Sequence, residues 1–477
     1  MTRIALLLAS LLFALLPAAA QSLLVNAGAE HAFADIYAFR DDAFEVDLRR
    51  VSDKAVRAYL REYHALMHYA AANNSDNYDV YMTLSDAALD AVDDHAYEPT
   101  LRCNLLLHRC LVELSDGSWV GGGLQFKRSY SAFKDAELAH PELTEQLMLR
   151  GIYNILLSQI PDKWRWFSSL LGFDDGDLEL GLRQIAQYRH AMQGVGGLQD
   201  ESLLLSFANI FLSHEQRADA ELEQCMRRSD APIVRYAYLL SMGRQQRGQE
   251  ADEVIARCTP GQFTVFPLLR HQQAKFAMRR MEPDRAIAYA DTFALTYRGT
   301  ACVNDIYLIK AYSYLLKGER ERATALAEQC ASVTAKSDVD HRTHADALRV
   351  SGEDLHLLRS RMCFEYGRYA DALAEIADYS PPAAHRIEHT FRLARAQEKL
   401  GNTDAALRLY DNTIAAAAND DRYFGPYAAL YAADIMLTRG NNAAAQQYAQ
   451  QAQKLNNGEF SKEIAQRIAL TLRAIKY

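Results

Sequence analysis

Asp338, Asp340, His341, His344 and His356 form the one dense His/Asp cluster along this chain. Histidines three residues apart on a helix can turn their imidazoles toward one divalent cation. The stretch is polar throughout and suits a solvated loop equally well, so no metal site is expected there. His214 and Glu215 open like a zinc-protease helix, but the second histidine that would complete the ligand pair is missing. Asp174, Asp175, Asp177 and Glu179 lack the spacing of a calcium loop. They read instead as an N-cap and an acidic first turn for the helix that follows. No glycine-rich phosphate loop and no Gly-x-Ser-x-Gly turn occurs. The expectation is a protein that is not an enzyme and carries no cofactor.

What remains for function is what a repeating scaffold would line up. From about residue 200 one unit keeps returning: a helix of about a dozen residues, a short break and a second helix. Gly318, Gly367, Gly401 and Gly440 mark the breaks. Ala311, Ser360, Ala394 and Ala433 lie seven residues before them, and Ala323, Ala372, Ala406 and Ala445 five after. Small residues at both places let the two helices of a hairpin pack closely. The frame extends upstream to Met281 (with Ala274 and Ala286) and Glu215 (with Ala208 and Ala220). It fits Gly248 in part, since Ser241 is small but Glu253 is not. The breaks are 33 to 39 residues apart except for one gap of 49, which points to an insertion at Ser337–Arg349. This spacing centres on the tetratricopeptide period of about 34 residues.

The predicted fold class is therefore all-α: a right-handed α-α superhelix of the tetratricopeptide type, with about seven hairpins over residues 196–477. Before it, residues 21–195 are expected to form a less regular helical part. Apolar residues recur at three-and-four spacing over Val51–Tyr69, Tyr78–Val92, Leu101–Leu114 and Leu124–Leu138. Glycine clusters at Gly121–Gly123 and at Gly194, Gly196 and Gly197 are the expected breaks, the second marking the boundary.

In such arrays the first helices line a concave surface. Six residues before each break stand Asn209, Met242, Lys275, Tyr312, Arg361, Arg395 and Asp434, and the ten-before set adds Tyr238, His271 and Phe391. The groove-binding candidates are Lys275, Tyr312, Arg361, Arg395, Asn209 and Tyr238. Lys275, Arg361 and Arg395 would make a positive patch suited to a carboxylate or an acidic peptide, because guanidinium forks pair with carboxylates at two points. A protein or peptide partner is the expected occupant. The alternative is a glycan or lipid on an aromatic platform of Tyr312, Trp164 and Trp166. Trp164, Trp166 and Phe167 otherwise serve as anchors of helix packing beside Leu170 and Leu171.

The N-terminus supplies an address. Arg3 precedes an apolar run from Ile4 to Leu16, then Pro17 and Ala18–Ala20. This is the layout of a signal peptide over residues 1–20, too short for a membrane span of roughly 20 apolar residues. The mature chain is expected to be periplasmic or extracellular, without a stable membrane span. Its formal net charge of -9, with no basic stripe, speaks against nucleic acid as a partner. Nothing in the sequence points to a particular oligomeric state. Seven cysteines without a Cys-x-x-Cys pair read as small core fillers.

The segment Arg150-Gly-Ile-Tyr-Asn-Ile-Leu-Leu-Ser-Gln-Ile-Pro161, with Leu170-Leu-Gly-Phe173 and Leu180-Gly-Leu182, carries a more specific signature. With Leu105-Leu-Leu-His-Arg109 and Phe126–Phe133 it resembles the group containing tetratricopeptide repeat protein 39 and the fungal inclusion-body-clearance proteins. The resemblance covers roughly residues 80–185. It implies an all-helical repeat protein linked to lipid or protein handling, with no catalytic residues to carry over. Those relatives are intracellular, so the export signal is a departure from the group.

Overall fold

A computed structural model gives the structure over residues 29–158, 160, 172–191, 215–300, 302–334 and 338–475. The signal segment, Trp164, Trp166, Phe167, Leu170, Leu171, the Gly194–Gly197 cluster, Ala208, Asn209 and His214 lie outside the described residues. All regular structure among the described residues is helical, without a strand.

One compact unit takes in the described residues up to Ser241, with Cys258–Leu269 and those of Thr296–Ala301. Its helices pair in sequence: α1 (Glu30–Ala38) with α2 (Asp41–Leu48), α3 (Lys54–Ala72) with α4 (Ser75–Ala91), α5 (Glu98–Ser115) with α6 (Trp119–Ala139), and α7 (Glu145–Ser158) with α8 (Leu178–Ala191). The three-and-four apolar spacing thus located α3 to α6 to within a turn or so. The expected break at Gly121–Gly123 is not there. α6 runs through it, and Gly122 serves close packing there: a Cβ on it would lie 2.6 Å from the Leu114 side chain of α5. The Asp174–Glu179 stretch does what its composition implied, since Asp177 caps α8 by accepting the Leu180 N–H at 2.9 Å.

Gly151 on α7 and Gly181 on α8, both in the signature segment, face one another. A Cβ at either would stand 2.7–2.8 Å from the other's carbonyl oxygen. Leu182 and Ile185 are buried beside this contact, with Ile152, Ile155 and Leu178 packed against them. The signature is a close-approach device.

Along the chain follow α9 (Glu215–Arg228), α10 (Pro232–Arg244), α11 (Gly248–Ala256), α12 (Pro260–Val265), α13 (Leu268–Arg279) and α14 (Pro283–Thr296). A second compact unit comprises Met242–Arg257, Arg270–Leu295 and Cys302–Tyr477. Here the hairpins are regular: α15 (Val303–Leu316) with α16 (Arg320–Ser332), α18 (Leu355–Tyr366) with α19 (Tyr369–Ala374), α20 (Arg386–Lys399) with α21 (Thr403–Ala416), and α22 (Phe424–Thr438) with α23 (Asn442–Leu455). α24 (Ser461–Ala474) closes the series on α22 and α23. These are stacked helical hairpins of the tetratricopeptide type, an α-α solenoid. The expected insertion is a further helix, α17 (Asp338–Arg349), rather than a loop.

The break glycines have a left-handed backbone, with φ of 83° at Gly318, 100° at Gly367, 84° at Gly401 and 71° at Gly440. Only glycine adopts this without strain. Met281, with φ of 63°, holds the same place without being glycine. The paired small residues Ala311, Ala323, Ser360, Ala372, Ala394, Ala406, Ala433 and Ala445 are all buried. Ser360 also donates its hydroxyl to the Ala372 carbonyl at 2.8 Å, so the one polar member is satisfied.

Two upstream breaks are displaced. Gly248 is the first residue of α11, and the left-handed residue is Gln246, with φ of 56°. Five after it comes buried Ala251, which explains why Glu253 did not fit. Ala220, five after Glu215, is exposed, and Glu215 itself begins α9, so that frame is offset as well.

A Cβ at Gly401 would meet nothing within 4 Å, whereas one at Gly367 would stand 2.2 Å from the Gln246 carbonyl oxygen. Gly401→Ala should therefore cost about 1 kcal/mol through its backbone alone, and Gly367→Ala about 2–4 kcal/mol. Urea unfolding of the two variants measures the difference, and equal losses would refute the contact.

All seven cysteines are free thiols, and all but Cys258 and Cys302 are buried. Burial pushes the Cys103 thiol up to about 12 and Cys110 up to about 11, which makes both poor nucleophiles. Among the described residues no helix is long and apolar enough to cross a membrane.

Candidate functional site

Tyr423, Tyr427 and Tyr431 recur every fourth residue at the start of α22, and that spacing puts them on one helix face. Opposite them stand Arg361, Phe364 and Glu365 of α18 and Phe391, Arg392 and Arg395 of α20. With Gln246 and Ser360 these side chains enclose a cleft of about 280 Å³. α18, α20 and α22 are the first helices of three consecutive hairpins, the face that the repeat frame assigns to a groove.

Rings and guanidinium groups interleave in it. The Arg395 Cζ lies 3.5 Å from the centroid of Tyr431 and 5.3 Å from that of Phe364. Tyr427 and Tyr431 are stacked at 6.0 Å, and Tyr423 meets Tyr427 edge-on at 5.8 Å. Arg467 of α24 approaches the outer side of Tyr431, at 4.5 Å from its centroid. Cation–π contacts of this kind hold the planar groups in a fixed array.

The expected positive patch is charge-matched. Arg361 donates to Glu365 at 2.9 Å and Asp346 at 3.2 Å, Arg392 to Glu388 at 2.8 Å, and Arg395 to Glu398. Most of these carboxylates lie one turn away on the same helix, so each arginine carries its own counter-charge. Burial by itself would raise the Glu365 carboxyl, but Arg361 and Arg279 outweigh it and hold it at about 2. Burial pushes the Tyr423 hydroxyl up to about 12 despite Arg392 and Arg361. The cleft is thus a preorganised polar–aromatic surface rather than a bare cationic one.

No protein-family description matches the chain, and no curated protein matches it. Among solved structures it resembles a tetratricopeptide repeat protein from Parabacteroides merdae, at 12% identity over 61% of this chain and 99% of that one, with a TM-score of 0.34. It also resembles the P58(IPK) TPR domain, at 15% identity over 88% and 98% of the two chains, with a TM-score of 0.22. A third is the APC/C hetero-tetramer Cut9–Hcn1, at 14% identity, 92% and 95% coverage and a TM-score of 0.27. At these values the repeat type of the chain stands on its own hairpins.

Of the groove candidates, Arg361 and Arg395 line the cleft. Tyr312 is buried at 2% exposure, with its hydroxyl 3.2 Å from the Arg361 guanidinium, so it supports Arg361 and offers no platform for a ligand. Lys275 is tied to Asp305 at 2.8 Å, and buried His271 contacts the same carboxylate oxygen at 2.7 Å. Tyr238 is half-buried in α10 and belongs to the other unit. Asn209 lies outside the described residues.

Among the described residues His341, His344 and His356 do not come together as a ligand set. His356 stacks on Tyr379 at 4.3 Å, and His341 is exposed on α17. The residues missed by reading one face at a time are Arg392 and the three tyrosines. Their signal was the four-residue tyrosine spacing.

Proposed function

We propose that this protein is an exported, non-enzymatic repeat scaffold that holds a short segment of a protein or peptide partner in the arginine–tyrosine cleft. The observation that carries the proposal is the convergence of Arg361, Arg392 and Arg395 with Tyr423, Tyr427 and Tyr431 from three consecutive first helices. Tyrosine and arginine are the residue types that dominate binding energy at protein interfaces. About 280 Å³ is also slightly below the roughly 300–1,000 Å³ of small-molecule sites, and suits one or two side chains of a partner. The fitting segment presents an apolar or aromatic side chain to the tyrosines and a neutral hydrogen-bonding group to the arginines, whose charges are already matched. The signal-like segment at residues 1–20 supports placement in the periplasm or outside the cell. Residues 80–185 support a distant kinship with the tetratricopeptide repeat protein 39 group, at the level of fold.

A second reading is favoured by the tyrosine ladder, whose half-buried rings suit a sugar face. One experiment separates the two. Arg361 is bound to Tyr312, Asp346 and Glu365, so its replacement would disturb the fold. Arg395→Gln with Tyr427→Ala is the probe; Arg395 is itself bound to Glu398 and Tyr410, so circular dichroism first checks that the variant is folded. Immobilised wild-type and variant proteins are compared for partners captured from the envelope fraction of the native organism. Recovery should fall roughly tenfold to a hundredfold, as for loss of two hot-spot residues. Unchanged capture by a folded variant would refute the cleft, and retention of glycans instead of proteins would favour the second reading.

A further inference from the structure

His64 and His68 lie one turn apart on α3, and their Nε2 atoms face each other at 3.2 Å. Both also face Asp41 Oδ1, in the first turn of α2, at 3.0 and 3.1 Å. Protons cannot satisfy this triangle. A neutral imidazole Nε2 either donates or accepts, and a carboxylate only accepts. If both nitrogens donate to Asp41, two N–H groups confront each other. If one nitrogen accepts from the other, its lone pair confronts the carboxylate. Two imidazolium rings would place like charges in contact. At most two of the three contacts can be good at once.

A cation satisfies all three. With metal–ligand bonds of about 2.0–2.1 Å, atoms 3.0–3.2 Å apart are neighbours in one coordination shell, and the ion sits about 1 Å off their plane. We propose that Asp41, His64 and His68 bind a first-row divalent metal ion through one carboxylate oxygen and two Nε2 atoms, with a further coordination position open to water. Two imidazoles and one carboxylate suit zinc or iron(II) better than calcium or magnesium, which prefer oxygen throughout.

The surroundings hold this arrangement in place. Phe44 stacks on His64 at 4.3 Å with rings 2° from parallel, and Phe39 meets His68 edge-on at 5.3 Å. Asp53 caps α3 through the Val56 N–H at 3.0 Å, and Asn77 donates to the His68 carbonyl at 3.2 Å. Thr300 N–H binds the Ala72 carbonyl at 3.0 Å, where α3 ends. Glu45, a turn beyond Asp41, is occupied by Arg61 through two contacts of 3.0 Å. Asp41 itself is exposed and the two imidazoles are partly so, which leaves a path for the ion.

The test is titration of the untagged full chain with Zn²⁺ by calorimetry. The wild type should bind one equivalent, and His68→Ala should bind at least tenfold more weakly. His341→Ala with His344→Ala, on α17, should bind as the wild type does. Asp41→Asn leaves both rings in their helix and guards against misfolding. With Co²⁺ in place of zinc, the wild type should show the visible absorption of a low-coordinate nitrogen–oxygen site, and Asp41→Asn should lose it. Absence of binding by the wild type, or wild-type affinity in His68→Ala, would overturn the assignment. So would loss of binding that follows His341 and His344.

Discussion

Gly181→Val should destabilise the protein by at least about 3 kcal/mol, because a backbone carbonyl occupies the space the new side chain needs. A Cβ at Gly181 would stand 2.7 Å from the Gly151 oxygen, 2.8 Å from the Ile155 side chain and 3.0 Å from the Ile155 nitrogen. Two of these are backbone atoms of α7, so no rotamer change relieves the overlap. α7 and α8 must separate, and buried Leu182 and Ile185 lose their packing. Chemical denaturation followed by circular dichroism measures the loss. A variant as stable as the wild type would show that the two helices do not approach so closely.

Asp305→Ala is expected to cost about 3 kcal/mol, because it leaves the buried, charged His271 without its carboxylate partner. Asp305 accepts from both Lys275 and His271, and His271 is only 3% exposed. Burial by itself would depress the His271 imidazolium, but the neighbouring Cys302 and Asp305 outweigh it and lift it from 6.5 to about 9. A raised value means that the folded protein holds the proton more tightly than the unfolded chain. This contribution is complete below about pH 6.5 and is lost as pH rises through about 9. The Asp305 carboxyl is shifted the opposite way. Burial would raise it, Lys275 and His271 outweigh burial, and its contribution is lost only as pH falls into the acid range. The wild type should therefore lose stability between pH 6.5 and 9, and Asp305→Ala should be less stable and flatter there. A variant that keeps the alkaline decline would contradict the pairing.

The repeat frame was legible because it rests on local rules. A left-handed break needs glycine and a close hairpin needs small residues, so Gly367 with Ser360 and Ala372 could be read directly. The frame slipped at Gly248 because Gln246 takes the left-handed backbone without being glycine. Gly121–Gly123 misled for the converse reason, since glycine in a helix, here Gly122, also admits a close neighbour. Charge was misjudged at Arg361 and Arg395 because only the positions six and ten before each break were taken. Glu365 and Glu398, a turn further along the same helices, were in plain view. The Asp41–His64–His68 triangle was half legible: the histidine pair follows from helical spacing, but Asp41 comes from another helix, and only the fold brings it there.

The most direct measurement of the central claim is photo-crosslinking from inside the cleft, in the native organism. A benzophenone amino acid replaces Tyr427, and a control replaces exposed Leu470 on α24. The account predicts one dominant protein adduct from position 427, absent from 470, that disappears when Arg395→Gln is added. Adducts of equal yield at both positions, or none at 427 in a folded protein, would contradict it.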